Sequence, residues 1–232
     1  MTQDEAKLAV ARRAVEFVEE GMAVGLGTGT TATMFIRELG KRVKAGLKIR
    51  CVASSDASRD LGISLGMDVV SLAELPELDI YIDGADEVCA GIDSGAGIGL
   101  GLIKGGGGAL LREKIVASSA KRFIVVVDSS KVVGVLGKFP LPVEVIEMAL
   151  PLVTRKLTEL GLHPAKRLHK DGSDYVTDEG NFILDCACGA IPEPEKTAAA
   201  IRGVVGVVEH GLFLGMATLA LVAGDGGVRE LR

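Results

Sequence analysis

A lysine, four consecutive glycines and a glutamate a short way beyond form a combination suited to moving protons: Lys104-Gly105-Gly106-Gly107-Gly108-Ala109-Leu110-Leu111-Arg112-Glu113. Consecutive glycines expose backbone amides, and such a nest can hold an oxyanion. Lys104 can polarise a carbonyl or hold a negative oxygen. Glu113 falls near the start of the following helix. A carboxylate beside an oxyanion hole is the equipment for abstracting a proton α to a carbonyl. The same residues also suit a flexible loop followed by an ordinary helical glutamate. Arg112 and Lys114 read as solvated helix residues.

Three further clusters carry polar groups. In Gly25-Leu26-Gly27-Thr28-Gly29-Thr30-Thr31 an apolar run enters glycines and hydroxyls before a helix begins. Amides at a helix N-terminus favour an anion such as phosphate, though a plain strand-to-helix turn would look alike. The segment lacks the lysine of a Walker A loop and does not match G-x-G-x-x-G. Asp83-Gly84-Ala85-Asp86-Glu87 gathers three carboxylates after an apolar strand, where open α/β sheets place ligands. They suit sugar hydroxyls or proton transfer; a solvated acidic turn and a divalent-metal loop are the other readings. Asp128-Ser129-Ser130-Lys131 follows another apolar run; it is a capping turn from which Lys131 could reach a phosphate or sugar oxygen.

The elements that must position these groups follow from periodicity. Apolar residues at helical spacing predict a helix over 4–20, and others over 32–39, 57–65 and 109–120. Short apolar runs predict buried strands at 22–27, 49–53, 69–70, 78–82 and 123–127. Residues 91–101 read as a glycine-rich loop. Strand and helix alternate, as in a doubly wound parallel sheet. Past Pro140 the order changes: strand 141–146, helix 149–160, a hairpin of 175–177 with 182–185, helix 194–201 and strand 204–208. That β-α-β-β-α-β order fits a small split α+β unit. The segment 212–223 is expected to rejoin the main sheet. The predicted fold is therefore α/β: a Rossmann-like, doubly wound, mostly parallel sheet in 1–137 and 209–232, with a smaller α+β (ferredoxin-like) domain in 138–208 serving assembly or as a lid.

Composition narrows the function classes. With 48% hydrophobic residues but only 3% aromatic, the core must be aliphatic, which suits a helix-covered parallel sheet. A net charge of −5 without a basic stripe argues against a nucleic-acid partner. The start of the chain does not read as a signal peptide, and no membrane-spanning run is seen. Cys51, Cys89, Cys186 and Cys188 make no C-x-x-C pair, and His163, His169 and His210 have no metal-type spacing with them. Reduced cysteines and a cytoplasmic location are expected.

Taken together, GxGTGTT, SSD, DGADE, LIKGGGGALLREKI, DSSK, LGKFPLPVEV, VTDEGN and GVVEHGLF resemble, in order and over nearly the whole chain, ribose-5-phosphate isomerase of the A type. The resemblance implies interconversion of D-ribose 5-phosphate and D-ribulose 5-phosphate through a cis-enediolate, in the non-oxidative pentose phosphate branch, with no cofactor and no metal. It makes Glu113 the base, and Asp83 and Asp86 the holders of sugar hydroxyls that assist ring opening. Lys104 and the amides of Gly105, Gly106 and Gly107 become the enediolate clamp. Thr28, Gly29, Thr30, Thr31, Gly84, Ala85 and Lys131 fall on substrate-binding positions. A homo-oligomer, dimer or tetramer, is also implied. The chain departs from the family pattern in a longer segment over 88–103 and in Thr218, where the family commonly has Asp. Rival readings are an amino-sugar-phosphate deaminase or acyl-CoA transferase, a sugar-phosphate sensor, and a dinucleotide-binding protein. The first would be expected to carry a loop histidine, the second a DNA-binding region, and the third an acid after its second strand.

Overall fold

The computed structural model describes residues 1–93 and 97–232. The first part of the chain runs α1 (Gln3–Val15), β1 (Ala23–Leu26), α2 (Thr30–Lys44), β2 (Arg50–Ala53), α3 (Asp56–Ser64), β3 (Asp68–Val69) and β4 (Ile80–Asp83). Next come β5 (Glu87–Asp93), β6 (Ile98–Ile103), α4 (Leu110–Ser118) and β7 (Phe123–Asp128). The remainder is β8 (Leu141–Val145), α5 (Leu150–Glu159), β9 (Pro164–Lys166), β10 (Phe182–Cys186), α6 (Pro194–Arg202), β11 (Val207–His210), β12 (Leu212–Leu214), β13 (Leu219–Gly224) and β14 (Gly227–Leu231). Two compact units result. The first comprises 1–85, 112–132 and 216–232; the second comprises 86–111 and 133–215.

The first unit is a sheet in the order β14-β13-β7-β4-β1-β2-β3, parallel except where β14 turns back on β13. Side chains alternate across it as strand geometry requires. Val24, Leu26, Ile80, Ile82, Ile124 and Val126 face a core shared with α1 and α2. Gly25, Tyr81 and Asp83 point to the other face, where Val116 of α4 would lie 2.9 Å from a Cβ on Gly25. Helices thus cover both faces. The chain runs from β1 outward to β2 and β3, then crosses back to place β4 on the other side of β1. That reversal between β1 and β4 is the position at which open α/β sheets leave a crevice at the carboxyl ends of their strands.

The second unit contains β11-β8-β10-β9, antiparallel throughout, and β12-β6-β5. With α5 and α6 the first of these sheets is a β-α-β-β-α-β unit, as the sequence order suggests. Its core joins Val143, Val145, Val153, Leu157, Leu184 and Ile201. Four expectations change here. Residues 91–101 are mostly strand, because β5 and β6 pair as a hairpin with β12 on its flank; within this stretch, 94–96 lie outside the described residues. That pairing also gathers 86–111, grouped with the main sheet on sequence, into the second unit. The partner of β10 is β9 at 164–166, not 175–177. Of the segment 212–223, β13 joins the parallel sheet while β12 pairs with β6.

Candidate active site

In the first unit the polar residues collect where parallel strands end together. Leu26 pairs with Ala53 and with Ile82, and Asp83 with Val125. Gly27, Ser54, Asp83 and Asp128 therefore sit along one edge. Asp83 is fully buried. Its Oδ1 accepts the amides of Thr28 (2.8 Å) and Gly84 (2.7 Å), and its Oδ2 accepts the Tyr81 hydroxyl. Burying a carboxylate is tolerable only with such donors. The Tyr81 hydroxyl is held protonated: burial, then the charges of Asp83 and Glu113, push its pKa well above the usual tyrosine range.

The Thr28 turn is tied down from below. Thr28 Oγ1 lies 2.8 Å from Ser54 Oγ, which donates to Leu26 O at 3.1 Å, and Ser58 Oγ donates to Gly27 O at 2.5 Å. Gly27 is required because a Cβ there would meet Asp83 Oδ1 at 2.3 Å. Gly29, at φ 97°, is the N-cap of α2 and offers no side-chain acceptor. No acid occupies the first turn, so the amides at Thr30 and Thr31 open on a helix end that favours an anion. Gly29 and Thr30 are exposed, and Thr28, Thr31, Gly84 and Ala85 half-buried. Lys131 closes a 3-10 turn after β7 and is half-buried; Asp128 caps that turn by accepting the Ser130 amide at 3.0 Å.

Glu113 lies in the first turn of α4 and is only 3% exposed. Its neighbours differ from the solvated reading. Arg112 pairs with Asp56 at 2.9 Å, and Lys114 is buried. Hydrogen bonding from Arg112, then its charge and that of Arg59, lowers the Asp56 pKa.

In the second unit Asp86 is half-buried, and its Oδ2 accepts the Gly106 amide at 2.8 Å. Lys104 is 2% exposed; its amide donates to Gly211 O at 2.9 Å, and its Nζ stands 5.6 Å from the Phe213 ring centroid. The glycine run turns on itself through Gly108 N to Gly105 O at 2.9 Å, with Gly105 and Gly108 at φ 101° and 87°. Gly106 and Gly107 are exposed and Gly105 is buried. Glu87, the third acid of the cluster, is buried: its oxygens accept the amides of Gly137 (2.7 Å) and Phe139 (2.6 Å). Glu87 thus holds a loop.

Residues the sequence did not single out complete both units. Tyr81 could have been found from its i, i+2 relation to Asp83 on one strand face. Arg167, Asp185 and Tyr175 around the glycine run had no local signal. Burial pushes the Cys51 thiol up to about 12 and the Cys188 thiol up to about 11, away from the thiolate form. All four cysteines are free. No helix among the described residues is long and apolar enough to cross a membrane.

Comparison with known proteins places the chain. A family model described as ribose 5-phosphate isomerase A (phosphoriboisomerase A) matches residues 50–227. A ribose-5-phosphate isomerase A of Parvibaculum lavamentivorans is 47% identical over 98% of this chain and 97% of its own length. One of Roseiflexus castenholzii is 49% identical, covering 95% of this chain and 92% of its own. The solved ribose 5-phosphate isomerase A of Methanocaldococcus jannaschii superposes with TM-score 0.92 at 40% identity, covering both chains fully. A D-ribose-5-phosphate isomerase solved in complex with phospho-erythronic acid superposes with TM-score 0.94 at 35% identity, again over both whole chains. With a matching family model over most of its length and relatives near half identity from end to end, this chain belongs to the ribose 5-phosphate isomerase A family.

Proposed function

We propose that this chain, an enzyme of that family, interconverts D-ribose 5-phosphate and D-ribulose 5-phosphate by proton transfer through a cis-enediolate, with Glu113 as the base. The observation that carries the reading is Glu113 itself: a buried carboxylate in the first turn of a helix entered directly from an amide-exposing glycine run that follows Lys104. Glu113 takes the proton from C2 of the open-chain aldose and returns it to C1, while a proton passes in the same sense from the C2 hydroxyl oxygen to the C1 oxygen. Lys104 and the amides of Gly105 and Gly107 hold the oxygen that becomes negative, and the Gly106 amide holds Asp86 Oδ2 in place. Asp86 and Asp83 accept sugar hydroxyls and assist ring opening. The amide-lined start of α2, from Thr28 through Thr31, and Lys131 take the phosphate and its neighbouring oxygens; Gly84 and Ala85 line the substrate.

A relative in complex with phospho-erythronic acid fits this chemistry: a carboxylate presents the planar pair of oxygens that an enediolate would. Ile146, Met148 and Val205 are exposed apolar residues of the second unit, and Met148 is 93% exposed; we read them as part of a homo-oligomer contact, checked by light scattering of the purified chain. Free thiols throughout suit a cytoplasmic location.

The test is to incubate the purified protein with ribose 5-phosphate in D2O and follow ketose formation together with deuterium at C1. Proton transfer by an exchanging carboxylate predicts ketose carrying deuterium at C1, with the rate unchanged by EDTA. An inert protein overturns the substrate, and ketose formed without solvent deuterium overturns the enediolate.

A further inference from the structure

The glycine run from Gly105 to Gly108 has no side chains with which to fix its own peptide planes, yet an amide donor is useful only if its N–H points the right way. We propose that Arg167, locked by Asp185 and assisted by Tyr175, is a positioning residue for the isomerisation, because it holds the carbonyls of this loop and so sets the direction of its amides. This rests on the role proposed above for those amides.

The contacts all lie within the second unit. Arg167 follows β9 directly, and its amide donates to Ile183 O at 2.8 Å, so its backbone is set by the ladder to β10. Across that ladder its guanidinium meets Asp185 bidentately: Nε to Oδ2 at 2.8 Å, and Nη2 to Oδ1. The remaining donor, Nη1, reaches Gly105 O at 2.9 Å and Gly106 O at 3.3 Å. The Tyr175 hydroxyl donates to Gly107 O at 3.1 Å, and the guanidinium carbon lies 5.6 Å from the Tyr175 ring centroid. Three successive carbonyls are thereby held from one side. The Arg167 side chain is only 12% exposed, so its bonds to Asp185 and Gly105 O are part-buried and little weakened by competing water.

A trans peptide points its C=O and the next N–H in opposite directions. Holding Gly105 O therefore aims the Gly106 amide away from Arg167, where it meets Asp86 Oδ2 at 2.8 Å. Holding Gly106 O aims the Gly107 amide away in the same manner, and holding Gly107 O fixes the plane that contains the Gly108 amide, which closes the turn on Gly105 O. The guanidinium on the carbonyls of Gly105 and Gly106 also polarises those two peptides toward stronger donation. Only arginine offers a planar fork that can grip a carboxylate bidentately and still donate elsewhere. Lysine would keep the charge and lose the geometry. Tyr175 has a matching steric relation: a Cβ on Gly108 would fall 1.9 Å from its hydroxyl.

Steady-state kinetics of Arg167→Met, Arg167→Lys, Asp185→Asn and Tyr175→Phe, each with an unfolding curve, test the proposal. Misaimed donors weaken the transition state more than the bound substrate. The expected result is a fall in kcat of roughly 10²–10³-fold for Arg167→Met, comparable with losing an oxyanion-hole donor, with KM for ribose 5-phosphate moving only a few-fold. Arg167→Lys should not rescue it. The inhibition constant of phospho-erythronic acid should rise across the series in step with the loss of kcat/KM. A residue of merely structural value would shift the unfolding curve without that correlation. A folded Arg167→Met with wild-type kcat, a change confined to KM, or full rescue by lysine overturns the proposal. If Arg167→Met does not fold, Tyr175→Phe decides by the same correlation. An inert wild type would count against the functional reading alone; the amide resonances of Gly106, Gly107 and Gly108 then test the positioning. They should shift in Arg167→Met, and unchanged resonances overturn it.

Discussion

Replacing Gly27 by alanine adds a single carbon at the most crowded point of the sheet edge. That carbon would stand 2.3 Å from Asp83 Oδ1, 2.4 Å from its Cγ and 2.6 Å from its Cα. Ordinary contacts between such atoms are about 3.5 Å, so roughly 1 Å of displacement is needed. The side chain cannot simply swing aside, because Oδ1 holds the Thr28 and Gly84 amides and Oδ2 the Tyr81 hydroxyl. The Cα belongs to β4, paired with β1 on one side and β7 on the other. Overpacking of this kind costs about 1–3 kcal/mol. Moving the Thr28 turn by that distance should cost about 10²-fold in turnover. Urea unfolding and ketose formation from ribose 5-phosphate measure the two. Gly46→Ala is the control: at φ 109° with no atom within 4 Å, it should lose roughly 1–2 kcal/mol from backbone strain while kcat stays at the wild-type value. A Gly27→Ala protein with wild-type stability and turnover would refute the crowding argument; one that loses stability alone would refute the link from this turn to the chemistry.

Two other perturbations address buried polar groups. Tyr81→Phe removes the O–H that Asp83 Oδ2 accepts and should lower stability by about 1–3 kcal/mol, read from the urea midpoint; an unchanged midpoint would show that Asp83 does not need this donor. Glu144 is 1% exposed, with Oε1 accepting Thr177 Oγ1 at 2.9 Å and Asn181 Nδ2 at 3.0 Å. Burial, against those hydrogen bonds and reinforced by the charge of Glu179, raises its pKa above the ordinary glutamate value. The folded state therefore favours the protonated form, and the stability this contributes at low pH is lost as pH rises through the folded pKa. Glu144→Gln cannot ionise, so its stability relative to wild type should increase from about pH 4 to about pH 7. Thermal unfolding across that range checks it, and a pH-independent difference contradicts it.

Much of this architecture could be read from the chain. Aliphatic runs such as Ile124, Val125, Val126 and Val127 are buried on both faces and admit little but a central strand. The glycines and hydroxyls after β1 and Asp83 at the end of β4 fall on one edge because parallel strands end together. What stayed hidden depended on partners distant in sequence. The stretch with Gly91, Gly97, Gly99 and Gly101 looked like loop, yet Gly101 is glycine because Ile92 would lie 2.7 Å from any Cβ. There Gly101 admits the close packing of a hairpin. Tyr175 and Val176 have strand propensity, but β10 takes β9 as its partner on that side and the Thr177 amide closes a turn on Asn181 O at 2.8 Å. Lys114 looked solvated because helical periodicity alone cannot say which charged residue is covered. The clamp of Arg167 and Asp185 on Gly105 joins residues about 60–80 positions apart, beyond any local pattern.

The central claim is that Glu113 carries the proton. Its most direct test is the turnover of Glu113→Gln with ribose 5-phosphate, measured beside its KM and its unfolding midpoint. Glutamine keeps the size of the side chain and removes the base. The expected result is a kcat lower by roughly 10²–10⁴-fold, with KM within a few-fold of wild type and stability unimpaired. A well-folded Glu113→Gln protein that turns over as fast as the wild type would contradict the account.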